Sequence, residues 1–295
     1  MRRALDAKTA VAIGVTILLW SSAFAAIKVG LTDYGPGEVA LLRFGTASAV
    51  LGIYAIATRM RLPGRRDVGR IALAGLLGIT TYHVALNFGE QTVSAGAASL
   101  IIASGPVFTA ALASVFLGER LSTWGWAGIG VAFAGVALIA FGEGGDGLRI
   151  EAGALLVLIS ALSTAAYSII SKPILRRYRP LEFTTYVIWA GTVPMLFCVP
   201  GLVSQMAHAS PGATAAVVYL GVFPAALAYL TWSYALARMP ASALATFLYL
   251  SPVSAIVIAF LWIGEVPGVL ALAGGGVAIA GVAITNTRVR RVLSS

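Results

Sequence analysis

Apolar runs of about 20 residues, separated by short polar segments, recur along the chain at 10–31, 36–58, 68–90, 93–117 and 121–142, then at 152–171, 181–202, 213–236, 241–262 and 266–286. Each is long enough to cross ~30 Å of hydrocarbon as a helix, and none shows the two-residue alternation of a transmembrane strand. The pattern predicts an all-α integral membrane protein with ten transmembrane helices. Composition agrees: a soluble globular chain is about 25% charged, whereas this chain is 11% charged and 59% hydrophobic. The first run has the basic head and small-residue end of a secretory leader. It also has an intact copy later in the chain, so it is read as the first span.

That copy belongs to a repeat. The segment PVFTAALASVFLGE at 106–119 returns as PVSAIVIAFLWIGE at 252–265, an offset of 146 residues. The same offset carries Gly128, Gly130, Val131, Gly135 and Val136 onto Gly274, Gly276, Val277, Gly281 and Val282. Nearer the start of each copy the offset is 144, and Lys28, Leu31, Tyr34, Pro36 and Glu38 fall on Lys172, Leu175, Tyr178, Pro180 and Glu182. Charges and prolines are scarce here, so these matches weigh more than the glycines. The reading is two units, 1–146 and 147–295, of five spans each and joined by EGGDGLRIE. An odd span count turns the second unit upside down in the membrane, the inverted-repeat plan of secondary transporters.

The net charge of +9 would suggest nucleic acid in a soluble protein. Here 17 of the 20 Lys and Arg residues fall at the termini and in loops on one side of the predicted topology. They place both termini in the cytoplasm of a cell (inner) membrane and report orientation, not a polyanion partner. The expected partners are a small-molecule substrate and the bilayer, with no nucleic acid and a monomeric chain. Cys198, the single cysteine, makes no intrachain disulfide.

Leu19-Trp20-Ser21-Ser22, Leu42-Arg43-Phe44 and the paired Pro to Gly-Glu segments resemble the drug/metabolite transporter superfamily. More closely, the chain is similar to ten-helix proteins of two EamA domains, among them the YddG-type exporters of aromatic amino acids. The resemblance covers essentially the whole chain. It implies export of small amphiphilic metabolites by alternating access from a cavity enclosed by both units. It does not carry over a substrate.

Polar and aromatic residues deep in apolar runs are the candidate substrate-binding groups. Tyr82, His83 and Asn87 lie in the third span, with His83 and Asn87 four apart on one helical face, and the 146 offset maps the latter two onto Tyr229 and Ser233. Trp20, Ser21, Ser22, Phe24, Tyr167, Ser168, Trp232, Phe247 and Tyr249 add aromatic faces and hydroxyls. Trp20 and Trp232 stand out because tryptophan in membranes favours the interface. Pro106 and Pro252, midway along spans four and nine, free the carbonyls of Ile102 and Leu248 and are read as hinges. Arg43 lies inside span two, and it is expected either to snorkel outward, to pair with Glu38 or Glu90, or to meet a substrate carboxylate. Glycines and alanines four apart, Gly128 with Ala132, Gly130 with Ala134, Gly274 with Ala278 and Gly276 with Ala280, predict close packing of spans five and ten.

An intramembrane enzyme would need a nucleophile with its base and acid; Ser104 and His83 have no such acid in an apolar run. His208, the second of two histidines, sits in a loop, so neither metal nor cofactor is expected. The substrate expected is an amino acid with an apolar or aromatic side chain; the alternative is proton-coupled efflux of drugs, cations or other metabolites. No Asp or Glu falls at mid-span. Facilitated transport is therefore expected, with His83 as ligand and not as proton carrier.

Overall fold

The computed structural model describes residues 6–116, 123–143, 151–238, 244 and 246–292. Gly118, Glu119 and linker residues 144–150 lie outside the described residues. Among those described, every regular element is helical. Six helices are long and apolar enough to cross a membrane: α1 (Ala7–Gly30), α2 (Pro36–Ala57), α3 (Val68–Gly89), and, after α4 to α6, α7 (Ala152–Ile174), α8 (Pro180–Met206) and α9 (Pro211–Arg238). The other described helices have shorter apolar stretches: α4 (Ala95–Ile102), α5 (Gly105–Phe116), α6 (Thr123–Glu143), α10 (Ser251–Ile263) and α11 (Val269–Val292).

The helix starts follow from local chemistry. Asp6, Ser94 and Ser210 cap α1, α4 and α9 by accepting the backbone N–H of Thr9, Ala97 and Ala213, which satisfies donors that a helix leaves orphaned. Pro36 and Pro180 open α2 and α8, where a missing N–H costs nothing. Gly264, at φ 69°, ends α10 in the left-handed conformation that suits glycine.

Two long helices are locally unwound, and in register with the sequence repeat. A π-helical turn interrupts α3 at Leu76–Thr81 and another interrupts α9 at Gly221–Leu227; the 146 offset carries the first onto 222–227. Such turns leave the backbone hydrogen bonds wider spaced and tend to mark functional sites.

The proline segments differ from the expectation of a bend inside a continuous helix. Span four is two helices, α4 and α5, separated by a turn at Ala103 and Ser104, and Pro106 is the second residue of α5. Pro252 is likewise second in α10, after a 3₁₀ segment at Thr246–Leu250. Each proline therefore starts a new helix, the position where its lack of an N–H is least costly, and does not break an old one.

Helices α6 and α11 pack against each other more extensively than any other pair. A Cβ placed on Gly135 would meet the backbone of Gly274 and Ala278, and one on Gly281 would meet Gly128 and Ala132. Residue numbers rise along one helix as they fall along the other, so the two are antiparallel. The 146 offset exchanges Gly128 with Gly274 and Gly135 with Gly281, and it thus maps this contact onto itself. Gly130 and Gly276 face away, with nothing within 4 Å of an added Cβ. Half of the expected small-residue stripe makes the contact, because residues two apart on a helix point in different directions.

Candidate functional site

A cavity of about 100 Å³ lies among α1, α2, α3, α4, α5, α7, α9 and α10. Its wall combines aromatic rings with aliphatic and small polar side chains. Trp20 stands 5.0 Å from Trp232 and 5.4 Å, edge-on, from Tyr229, ring centre to ring centre. The His83 ring is 4.5 Å from both Tyr82 and Phe44. Phe24 of α1 and Tyr167 of α7 complete the aromatic lining.

The centre of this wall is a hydrogen-bonded pair at equivalent positions of the two halves. His83 Nε2 lies 3.0 Å from the Tyr229 hydroxyl, which in turn donates to the Gly78 carbonyl at 3.2 Å. The phenol has one proton; assigning it to the Gly78 carbonyl, which can only accept, makes the oxygen the acceptor toward His83 and puts the imidazole hydrogen on Nε2. Nδ1 is then a bare acceptor; it is buried and has no partner. Gly78 belongs to the π turn of α3, and the matching carbonyl in the π turn of α9, Pro224, accepts from Trp20 Nε1 at 3.1 Å. Each unwound carbonyl is thus capped by an aromatic side chain of the cavity wall.

Arg43 also lines the cavity and is 2% exposed. Its Cζ is 5.3 Å from the centre of the Phe44 ring, and Nε and Nη1 have no hydrogen-bond partner. Complete burial excludes the snorkelling expectation. Pairing with Glu38 or Glu90 is absent too: among the described residues the ion pairs are Lys28 with Glu265 at 3.6 Å and Arg177 with Asp67 at 2.9 Å.

Eight of the fourteen candidate binding residues line the cavity: Trp20, Phe24, Tyr82, His83, Tyr167, Ser168, Tyr229 and Trp232. Ile102 and Leu248, whose carbonyls lie one turn before Pro106 and Pro252, line it as well. Five candidates do not, and each is engaged in holding helices together. Ser21 bonds Ser251 Oγ at 3.0 Å, tying α1 to the start of α10. Ser22 Oγ is 2.7 Å from the Tyr219 hydroxyl. Asn87 donates to the Pro36 carbonyl at 2.9 Å, and Ser233, its counterpart, bonds Thr184 at 2.9 Å; both fasten a helix to the first turns of the helix before it. Phe247 packs against the buried cluster that includes Ile13, Ile17, Trp232 and Leu244. The side chains of Tyr249 and Pro106 lie outside the described residues. Ser99, Thr109 and Thr164 line the cavity without having been singled out, because small hydroxyls in apolar helices carry no signal that separates a cavity wall from ordinary packing.

At one end, beyond Phe24 and Ile27, Lys28 pairs with Glu265, whose other oxygen accepts the Ala95 N–H at 3.2 Å. The contact joins α1, the start of α4 and the turn after α10.

Comparison with known proteins places this architecture. A solved crystal structure superposes with a TM-score of 0.65 at 21% identity, covering 96% of this chain and 98% of that one, and shares the fold. A probable terminal-alkyne amino-acid exporter of Streptantibioticus cattleyicolor is 45% identical over 277 residues, 94% of this chain and 93% of that protein. The uncharacterized transporter YdfC of Bacillus subtilis is 40% identical over 274 residues, 93% of this chain and 89% of that one. The profile of the EamA-like transporter family matches twice, at residues 8–141 and 151–287. With both halves matched, the chain belongs to the EamA-like transporter family and is a multi-pass membrane transporter of small molecules.

Proposed function

We propose that this protein exports amino acids with apolar or aromatic side chains across the cell (inner) membrane, as a monomer working by alternating access. The observation that carries the proposal is the aromatic-bearing cavity formed by helices of both halves, with His83 and Tyr229 bonded in its wall. A volume of about 100 Å³ suits a small substrate; drug-sized ligands occupy pockets of about 300–1,000 Å³. The exporter of Streptantibioticus cattleyicolor, named for an amino acid with an apolar side chain, supports the same substrate class.

The architecture proposed is ten spans in two inverted units, 1–146 and 147–295, with both termini cytoplasmic. Support comes from contacts between equivalent positions. His83 meets Tyr229 at an offset of 146, and Ser48 meets Thr192, 3.0 Å between hydroxyls, at an offset of 144. Positions that touch their own counterparts lie on an axis relating the halves, and the antiparallel α6 and α11 contact surrounds the same axis. Pro106 and Pro252, each starting a new helix beside the cavity, are the proposed hinges. The proton-coupled cation efflux reading is weaker, because Arg43 is the one charged side chain among the described lining residues.

The test is purified protein in liposomes loaded with labelled leucine, phenylalanine or propargylglycine, assayed for counterflow against a panel that includes quaternary ammonium dyes. Flux of the dyes without flux of any amino acid would overturn the substrate class. Single cysteines at 62 and 208 in a Cys198→Ala background, labelled by an impermeant reagent, test orientation: position 62 should react only from the cytoplasm and 208 only from outside.

A further inference from the structure

We propose that Arg43 is the carboxylate-recognising residue of this cavity, with His83 Nδ1 as acceptor for the adjoining ammonium, so that the substrate is selected for its charged head as well as its apolar side chain. The inference rests on the amino-acid transport reading and deepens it.

Three observations on Arg43 combine. The side chain is 2% exposed, it lines the cavity, and Nε and Nη1 are without hydrogen-bond partners. A buried charge without a partner is costly, and that cost has a use where a partner arrives as ligand. Glu90, the fully buried acid on the adjacent segment, leaves both of its oxygens unbonded and forms no ion pair with Arg43. It is not among the described residues lining the cavity. Among the described lining residues the guanidinium is thus the single charge facing a small, largely apolar space. A planar fork of N–H donors matches a carboxylate in shape and sign. The same charge repels an organic cation, and does so more strongly in a low-dielectric wall than in water.

The position of the second group follows from Phe44. Its ring lies 5.3 Å from Arg43 Cζ and 4.5 Å from the His83 ring centre. Guanidinium and imidazole therefore share one phenyl ring as a neighbour. An α-amino acid carries its carboxylate and ammonium on a single carbon, so its two recognition groups must be neighbours. With its hydrogen committed to Tyr229 through Nε2, His83 presents Nδ1 as the acceptor. The aromatic wall of Trp20, Trp232 and Phe24 is left for the side chain.

The test uses the full-length protein in liposomes and four probes that share one side chain: phenylalanine, its amide, phenethylamine and 3-phenylpropionate. On the wild type, phenylalanine and phenylpropionate should compete for labelled phenylalanine counterflow at least ten times better than the amide or the amine. Arg43→Gln should weaken phenylalanine at least tenfold and leave the amide unchanged; Arg43→Lys should fall between. The inference is overturned if the amide competes as well as the acid on the wild type, or if a folded Arg43→Gln protein keeps its KM for phenylalanine. The wild-type series decides the matter should the variant not fold. Absence of any amino-acid flux would sink the transport reading instead. Quenching of tryptophan emission by phenylpropionate but not by phenethylamine would then still support Arg43, and the reverse order would remove it.

Discussion

His83 and Tyr229 stand 146 residues apart, the offset that lays one half of the sequence on the other, and they are bonded at 3.0 Å in the cavity wall. Tyr229 takes the His83 hydrogen and gives its own to the Gly78 carbonyl. Tyr229→Phe removes the acceptor for His83 Nε2 and the donor to Gly78. An unsatisfied buried group costs about 1–3 kcal/mol, and a loss of that size should appear in thermal unfolding in detergent. His83→Gln should weaken substrate binding about 3- to 10-fold, the worth of one ordinary hydrogen bond, with no change in proton stoichiometry. Uphill accumulation driven by an imposed pH gradient, lost in His83→Gln while downhill exchange survives, would assign His83 to coupling instead.

Pro252 should matter to movement more than to folding. It is buried near the start of α10, where alanine is tolerated and adds an N–H facing the end of the 3₁₀ segment. Pro252→Ala is expected to keep its yield and monodispersity while flux falls by more than half. Unchanged flux would remove the hinge from this helix.

Gly135 and Gly130 lie on one helix and give opposite expectations. A side chain at Gly135 collides with the backbone of α11, whereas Gly130 faces open space. Overpacking of a close contact costs about 1–3 kcal/mol, so Gly135→Val should lower the unfolding temperature in detergent. Gly130→Ala should hold or raise it, since alanine favours the helix by about 0.5–1 kcal/mol over glycine. Equal effects of the two would show that α6 and α11 do not meet along this face.

The loop after α1 gives a pH dependence. The Asp33 carboxylate accepts from both the Ser210 hydroxyl, at 2.5 Å, and the Ser210 N–H, at 2.8 Å. These bonds hold it below the usual carboxylate range. A folded-state pKa below the unfolded value of about 3.9 contributes stability above that value and loses it as pH falls further through the folded value. Melting temperatures measured from pH 3 to 7 should therefore show a shallower acid limb in Asp33→Asn than in the wild type. Parallel acid limbs would exclude the contribution.

The helices were legible because the bilayer imposes a length, and the chain meets it with uninterrupted apolar runs. Deep tryptophans were legible for the converse reason: Trp20 and Trp232 sit where tryptophan has no interface to anchor. Direction around the helix was harder. His83 and Asn87 share a face, yet one turn of rise takes Asn87 from the cavity to the Pro36 carbonyl. Periodicity tells which residues point together and not what they point at. Arg43 had three outcomes that differ only in side-chain direction, and only coordinates separate them. The π turn of α3 has no marker in its sequence, LLGITT, although its counterpart in α9 carries Pro224.

The two π-turn carbonyls bear on how such a protein arises. Gly78 and Pro224 are counterparts, but one is capped by tyrosine from α9 and the other by tryptophan from α1. A single-unit ancestor assembling as an antiparallel pair would have to present identical groups at both places, since one gene encodes both. Joining two copies in one chain releases that constraint, and each copy can drift separately. A frame with matched halves then holds an imidazole and a phenol at equivalent positions. It also holds one arginine where a symmetric pair would carry two. Such unlike walls suit a molecule with unlike ends.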